Sequence, residues 1–148
     1  MLSVFSDEYY MTRAYQQAEL AYEAGEVPVG AVLVCKNQII ARTHNQTELL
    51  QDVTAHAEIL AITAAAQHLG SKYLNDCTLY VTLEPCTMCA GALAWAQLGK
   101  LVYGAADSKR GFMRYGKAFL HPKTQVAFGI LEDKCQQILQ DFFAKRRN

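Results

Sequence analysis

Two short segments of the sequence carry the side chains best suited to chemistry. His56 and Glu58 stand at the predicted start of one helix, and Cys86 and Cys89 at the predicted start of the next. Residues three apart share a helix face, and the amino end of a helix favours the thiolate form of cysteine. Two thiolates and an imidazole supply three ligands of tetrahedral zinc and leave a fourth position for water. The spacing therefore predicts a catalytic zinc site at His56, Cys86 and Cys89.

Glu58 is the predicted proton shuttle of that site. Zinc lowers the pKa of a bound water towards about 7, and a nearby carboxyl group can take the proton and return it to a substrate. General acid–base help of this kind is worth about 10²–10⁴-fold in rate. The second histidine of the HExxH zinc proteases is absent, which disfavours peptide hydrolysis by that route.

Three alternatives account for parts of this pattern. A structural zinc site would need a fourth ligand, for which Cys77, His44 and Cys35 are the candidates. A thioredoxin-like redox pair would explain the two cysteines but not the histidine and glutamate. A zinc-stabilised module that binds RNA without catalysis would use the same ligands. The simplest role for Cys35, Cys77 and Cys135 is in the core.

Length and composition limit the class of protein. The 148 residues, 51% of them hydrophobic, predict one compact domain over residues 1–148. The longest uncharged apolar run, residues 86–98, is too short for a membrane span of about 20 residues. Five cysteines and an amino-terminal segment without the features of a secretory signal predict reduced thiols and a cytoplasmic location.

The formal net charge of zero hides a gradient along the chain. Residues 1–99 carry a net charge of −6 and residues 100–148 a net charge of +6. Such asymmetry between halves is one of the composition signals of a polyanionic partner such as nucleic acid, although a solvated basic face is the simpler explanation.

Periodicity and turn residues predict the elements that must position these groups. Four helices are expected near residues 6–22, 55–69, 85–99 and 131–147, with Ser6 as a cap, Gly25, Gly70 and Gly99 as stops, and Pro85 in the first turn of the third. Strands are expected near residues 29–35, 38–42, 78–83, 100–104 and, more weakly, 125–130. This order predicts a three-layer α/β/α domain with a central mixed sheet of about five strands.

The two motifs resemble a known signature. His56-Ala57-Glu58 followed by Pro85-Cys86-Thr87-Met88-Cys89 is similar to the H-x-E and P-C-x-x-C pair of the zinc-dependent cytidine deaminase superfamily. More closely, the chain resembles the bacterial tRNA-specific adenosine deaminases, which convert the wobble adenosine of an anticodon to inosine. The matching segments cover nearly the whole chain: residues 26–32, Asn45, residues 54–58, 80–92 and 103–105, Asp107, Lys109, residues 129–131, Phe142, Phe143, Arg146 and Arg147.

The resemblance implies a fold, a cofactor and a substrate. It implies a cytidine deaminase-like fold, one zinc ion per subunit on His56, Cys86 and Cys89, proton transfer by Glu58, a homodimer and a tRNA anticodon stem-loop as substrate. It also implies a set of substrate contacts. In that set Asn45 hydrogen-bonds the flipped base, the backbones around Ala57 and Leu83 line its pocket, and Asp107, Lys109 and Phe143 of the carboxy-terminal helix approach flanking nucleotides.

Some roles stay open at this level. Asn45 could also be a turn residue. The spacing of Phe142 and Phe143 from Ile138 and Leu139 makes at least one of the two phenylalanines a core residue. The same zinc chemistry would serve a deaminase of free guanine, cytosine or a nucleoside.

The segment 111–124 departs from the family pattern, because it is shorter than in some relatives. Basic residues alternate there with aromatic ones, a composition suited to phosphate contacts and base stacking. The alternative is that the aromatic rings fill the core or a dimer interface. The residues concerned, in the segment and directly before it, are Lys109, Arg110, Arg114, Lys117 and Lys123 with Phe112, Tyr115 and Phe119.

Overall fold

Alternating apolar residues in the first strand build two separate cores. The computed structural model describes residues 6–146, so Arg147, the predicted end of the last helix, and the first five residues lie outside that range. In β1 (Gly30–Cys35) the side chains of Ala31 and Leu33 point to one face of the sheet, and those of Val32 and Val34 point to the other. Both faces of this strand are therefore covered.

The sheet is mixed, as predicted. Its strand order is β2-β1-β3-β4-β5, with β2 (Gln38–His44), β3 (Cys77–Leu83), β4 (Lys100–Ala105) and β5 (Gln125–Phe128). β1 runs antiparallel to β2 and β3, whereas β3, β4 and β5 are parallel. β2 and β3 consequently share one direction, and their carboxyl ends meet at the same edge of the sheet.

Helices cover both faces and complete the predicted three-layer arrangement. α1 (Asp7–Glu23) and α4 (Glu132–Arg146) lie over one face, and α2 (Ala57–Leu69) and α3 (Thr87–Trp95) over the other. α1 sits so close to β1 that a Cβ on Gly30 would overlap the backbone of the helix. Within residues 6–146 no helix combines the length and the apolar character needed to cross a bilayer.

Most predicted helix ends are confirmed. The side chain of Ser6 accepts a hydrogen bond from the Tyr9 amide (3.1 Å) and caps α1, and Gly70 ends α2 in the left-handed conformation, with φ 65°. The predicted end of α3 at Gly99 is wrong. The helix stops at Trp95, because Gln97 adopts φ 56° and the Leu98 amide turns back to the Leu93 carbonyl (3.1 Å).

The predicted place of Pro85 is also wrong. α3 begins at Thr87 with Cys86 as its amino-terminal cap, so Pro85 precedes the helix. The reason is a tertiary contact, since the Pro85 carbonyl accepts a hydrogen bond from the Phe112 amide (3.0 Å) and Cys86 pairs with Gly111 in an isolated β-bridge. These contacts keep the chain extended up to Cys86.

Candidate active site

The metal-ligand candidates stand at the amino ends of two neighbouring helices. His56 is the cap of α2, Cys86 is the cap of α3, and Cys89 lies in the first turn of α3. α2 follows β2 through the 45–55 segment and α3 follows β3, and these strands end at the same edge of the sheet. The sheet topology thus brings two segments thirty residues apart into contact.

The three donor atoms form one compact group. His56 Nδ1 lies 3.7 Å from Cys86 Sγ and 3.5 Å from Cys89 Sγ, and all three atoms fall within 4.8 Å of one another. Across residues 6–146 no other set of three His, Cys, Asp or Glu side chains is arranged to hold a metal ion. Cys35 and Cys77 instead face each other across β1 and β3, and His44 lies beside Gln17, so none of them supplies a fourth ligand.

The electrostatics of the group suit a divalent cation. Hydrogen bonds from the Cys89 thiol and the His56 ring lower the pKa of Cys86 to about 4, although burial opposes the shift. The same contact with Cys86, together with burial, raises the pKa of Cys89 well above that of a free thiol. The lowered pKa favours the thiolate form of Cys86, and the set of two sulfurs and one imidazole nitrogen matches the donors that zinc binds in catalytic sites.

Glu58 lies beside this group with almost no contact with solvent. It is the second residue of α2 and only 4% exposed. Burial raises its pKa to about 7. A carboxyl group with this pKa can both accept and donate a proton near neutral pH, which is what a proton shuttle requires.

A cavity of about 460 Å³ opens over His56, Glu58 and Cys86. All six residues that the resemblance assigns to substrate binding line it: Asn45, Ala57, Leu83, Asp107, Lys109 and Phe143. They come from five separate parts of the chain, and only the fold brings them together. Their roles in binding stay predictions.

Further residues line the cavity that sequence reasoning did not assign to the site. They are Val27, Val29, Thr47, Glu84, Ala106, Ser108 and Leu139, and Arg110, which the sequence offered as a phosphate contact, lines the cavity too. Val27, Val29 and Glu84 lie within the matching segments, and Ala106 and Ser108 lie next to matching residues, so proximity in sequence was the signal that could have found them. A second cavity of about 330 Å³ shares His56, Cys86, Lys109 and Arg110 with the first and adds Tyr115 to the lining.

Asn45 has local partners as well as a place in the cavity. Its side-chain oxygen accepts a hydrogen bond from the Thr47 amide and its side-chain nitrogen donates to the Val27 carbonyl, both at 3.3 Å. The alternative role in a turn is therefore confirmed. A carboxamide has two donor hydrogens and two acceptor lone pairs, so each end keeps capacity for a second partner.

Phe142 and Phe143 take different positions. Phe142 is 6% exposed and packs edge-on against Tyr22, with ring centroids 6.0 Å apart. Phe143 is 44% exposed and lines the cavity. The prediction that at least one of the two belongs to the core is confirmed.

The basic residues of the positively charged segment, residues 100–148, are divided between the cavity and other surfaces. Lys109 and Arg110 line both cavities, and their amides donate to the Asp107 carboxylate, each at 3.0 Å. Lys134 and Lys145 instead lie over the rings of Tyr15 and Tyr22, at 4.5 and 5.0 Å. Lys109 and Arg110 are therefore the basic residues of segment 100–146 that line the cavities, and Arg114 adjoins them through a hydrogen bond to the Lys109 carbonyl.

The aromatic residues of segment 111–124 also divide. Phe112 is completely buried, with its ring centroid 6.1 Å from that of Tyr103, whereas Tyr115 is 58% exposed and in edge contact with Phe119. Single turns of 3₁₀ helix span Phe112–Phe119 and are interrupted at Gly116. The core alternative therefore holds for Phe112, and stacking on a base stays a prediction for Tyr115.

Fold and site together define the class of the protein. A five-stranded mixed sheet between helix layers, with a His/Cys/Cys group at two helix starts and an adjacent buried glutamate, is the arrangement of deaminases with the cytidine deaminase-like fold. Comparison with known proteins specifies the family. Residues 5–147 match the MafB19-like deaminase family, to which the chain belongs.

Individual relatives agree with this assignment. The tRNA-specific adenosine deaminase of Bacillus subtilis is 46% identical over 147 residues, which cover 95% of this chain and 91% of that protein. A solved structure of a tRNA:A34 deaminase superposes with a TM-score of 0.84 at 43% identity, covering 88% of this chain and 99% of that one. The guanine deaminase of Bacillus subtilis is more distant, with a TM-score of 0.67 and 37% identity over 78% of this chain and 71% of that one. The resemblance to tRNA-specific adenosine deaminases is confirmed.

Proposed function

We propose that this chain, as one domain over residues 1–148, deaminates the wobble adenosine of a tRNA anticodon to inosine and ammonia by hydrolysis. The observation that carries the proposal is that Glu58 and two members of the donor group, His56 and Cys86, line one cavity with the six predicted substrate contacts, while Cys89 completes the donor group behind them. The names of the relatives support the same reaction.

The donor set fits zinc, which His56, Cys86 and Cys89 would hold. When bound, zinc supplies Lewis-acid chemistry that makes a water molecule a nucleophile at neutral pH. Glu58 takes a proton as the water attacks C6 of adenine and delivers it to the adjacent ring nitrogen. It then takes the second proton of that water from the hydroxyl group now on C6 and transfers it to the amino group, which leaves as ammonia. The raised pKa of this buried carboxyl suits both directions of transfer.

The cavity suits a single base taken out of its stack. Its volume of about 460 Å³ lies within the usual range of small-ligand sites. The remaining hydrogen-bonding capacity of Asn45 would orient the base, and Ala57 and Leu83 would pack along it. Lys109 and Phe143 would meet the flanking nucleotides. A single-stranded loop favours this arrangement, because the base there can be splayed out at small unstacking cost.

We further propose that the protein forms the homodimer that the resemblance implies. We also propose that it acts in the cytoplasm, because its substrate is tRNA. Large exposed apolar side chains support an interface near the site: Val53 and Met88, which line the second cavity, and Trp95 on α3, which is 86% exposed. Light scattering during gel filtration measures the mass directly, and a mass of one chain would contradict the dimer.

A substrate comparison tests the proposed reaction. Zinc-loaded protein is incubated with an anticodon stem-loop that carries adenosine at the wobble position, and separately with guanine, cytosine, adenosine and cytidine. We expect inosine and ammonia in equal amounts from the stem-loop and little ammonia from the free compounds. The matched control is the same RNA with that adenosine base-paired in the stem, which should not react. Ammonia from free bases alone would favour the guanine or cytosine deaminase alternative.

A further inference from the structure

Glu84 lines the cavity, but the proposed reaction gives it no proton to transfer. It directly follows β3 and precedes Pro85 and the donor Cys86. Its side chain is only 5% exposed. A carboxylate removed from water needs hydrogen-bond donors around it, so its partners show what it is there to hold.

Both oxygens of Glu84 accept backbone amides from one loop. The Asp107 amide donates to Oε1 at 3.0 Å and the Met113 amide donates to Oε2 at 2.9 Å. The same side chain therefore binds the backbone near both ends of residues 106–113, here called the 106–113 loop. Without the carboxylate two amides would point into a buried space without acceptors, which is unfavourable.

The loop closes tightly around this carboxylate. A Cβ on Gly111 would overlap the Glu84 carboxyl group and approach the Asp107 carbonyl oxygen. The φ of Gly111 is −65°, which any residue can adopt, so lack of space alone demands glycine here. A side chain at position 111 would therefore have to displace either the Glu84 carboxyl group or the backbone of the loop.

The same loop is joined to the metal-ligand segment. The Phe112 amide donates to the Pro85 carbonyl at 3.0 Å, and Gly111 pairs with Cys86. Phe112 is fully buried, which anchors that end of the loop in the core. These anchors fix the position of the loop beside the site, and they thereby fix the positions of Lys109 and Arg110, which the loop carries.

We propose that Glu84 is a positioning residue whose buried carboxylate holds the 106–113 loop in place, so that Lys109 and Arg110 meet the phosphates of single-stranded RNA entering the cavity. The RNA part rests on the proposed function. The hydrogen bonds that hold the loop do not depend on the proposed function, so the hold on the loop and the effect on RNA binding are measured separately.

Hydrogen exchange tests the hold on the loop. In Glu84→Gln the amide oxygen satisfies one backbone amide, but its NH₂ group faces the second donor. We expect exchange at the Asp107 and Met113 amides of the zinc-loaded protein, followed by NMR, to accelerate at least about tenfold. The matched control is Glu26→Gln. Glu26 is 2% exposed and accepts the Glu48 and Leu49 amides at 3.0 and 2.8 Å.

The control variant should accelerate exchange at Glu48 and Leu49 and leave Asp107 and Met113 unchanged. Unchanged exchange at Asp107 and Met113 in Glu84→Gln would overturn the proposal. Should that variant fail to fold, Gly111→Ala displaces the same loop from the opposite side and should give the same acceleration; normal exchange in Gly111→Ala would likewise overturn it.

The salt dependence of RNA affinity tests the consequence. The ligand is the stem-loop with inosine at the wobble position, so that no turnover occurs during titration. For single strands the slope of log Kd against log salt changes by about 0.7 per phosphate contact. We expect Glu84→Gln to reduce the slope by about 0.7–1.4, the contribution of one or two contacts. A loss of folded protein alone would lower the amount bound without changing this slope.

The decisive comparison uses a chain in which Lys109 and Arg110 are both Ala. Adding Glu84→Gln to that chain should not change the slope further, because the contacts it positions are already gone. A further reduction, or an unchanged slope in Glu84→Gln alone, would overturn the positioning role. Failure of the wild-type protein to deaminate the stem-loop would instead contradict the proposed function and leave the exchange result as it stands.

Discussion

Replacing Glu58 with Gln should remove most of the turnover and leave the metal site intact. Glu58 is 4% exposed at the start of α2, and its pKa of about 7 lets it accept and donate a proton at neutral pH. The amide of Gln has nearly the same shape but cannot carry a proton between water and substrate. The cavity and the three donor atoms should therefore keep their arrangement while proton transfer is lost.

The burial of Glu58 places the expected loss of kcat in Glu58→Gln in the upper part of the range known for general acid–base catalysis. General acid–base catalysis contributes about 10²–10⁴-fold. Because Glu58 is almost fully buried, bulk water has little access to take over its role. We expect kcat to fall by about 10³-fold or more, equivalent to about 4 kcal/mol in the barrier at about 1.36 kcal/mol per factor of ten. KM should change little, since Gln presents the same surface to the base.

Single-turnover deamination of the anticodon stem-loop, followed as inosine by mass spectrometry, measures the effect. Zinc per chain is determined on the same samples. Glu58→Asp is the matched control, because it keeps a proton-transferring group but withdraws it by one methylene, and it should lose less activity than Gln. Retention of more than a tenth of wild-type kcat by Glu58→Gln with full zinc would refute the mechanism. RNA binding without deamination in the wild type would favour the zinc-stabilised RNA-binding alternative.

Three further predictions concern the metal, the helix–sheet contact and the last helix. Cys86→Ser should reduce bound zinc from one per chain to a small fraction after dialysis, measured by metal analysis, and full retention would exclude Cys86 as a ligand. Gly30→Ala should lower the free energy of unfolding in urea by about 1–3 kcal/mol or more, because its Cβ would overlap the α1 backbone. An unchanged free energy of unfolding in Gly30→Ala would contradict this reasoning. Phe142→Ala should destabilise by about 3–5 kcal/mol, whereas Phe143→Ala should mainly raise KM for RNA, and the reverse pattern would show that their positions are misassigned.

Local signals predicted the elements where the deciding interaction is itself local. The Ser6 cap and the Gly70 stop depend on groups within a few residues, and both are confirmed. The end of α3 depends on a glutamine, Gln97, in the left-handed conformation, for which sequence offers no preference. The position of Pro85 before the helix depends on a hydrogen bond from Phe112, a partner 27 residues further on, which periodicity cannot reveal.

The metal ligands and the proton-transferring residue could be predicted from the sequence, because the type of a donor side chain and its place in a helix are local properties. His56, Cys86 and Cys89 with Glu58 predicted a metal-assisted proton-transfer site before any tertiary contact was known, and the structure brings them together. Their residue types and spacing restrict the choice of metal and reaction to a few possibilities.

Only the tertiary structure decided what surrounds that chemistry. The strand order β2-β1-β3-β4-β5 aligns the ends of β2 and β3, and this alignment joins two distant helix starts and gathers Asn45 and Phe143 into one cavity. It also shows that Glu26 and Glu84, which look like ordinary charged residues in the sequence, are buried and hold loops by backbone hydrogen bonds. The physical reason is that burial and hydrogen bonding across long sequence separations depend on how the sheet is assembled, and no local pattern encodes that assembly.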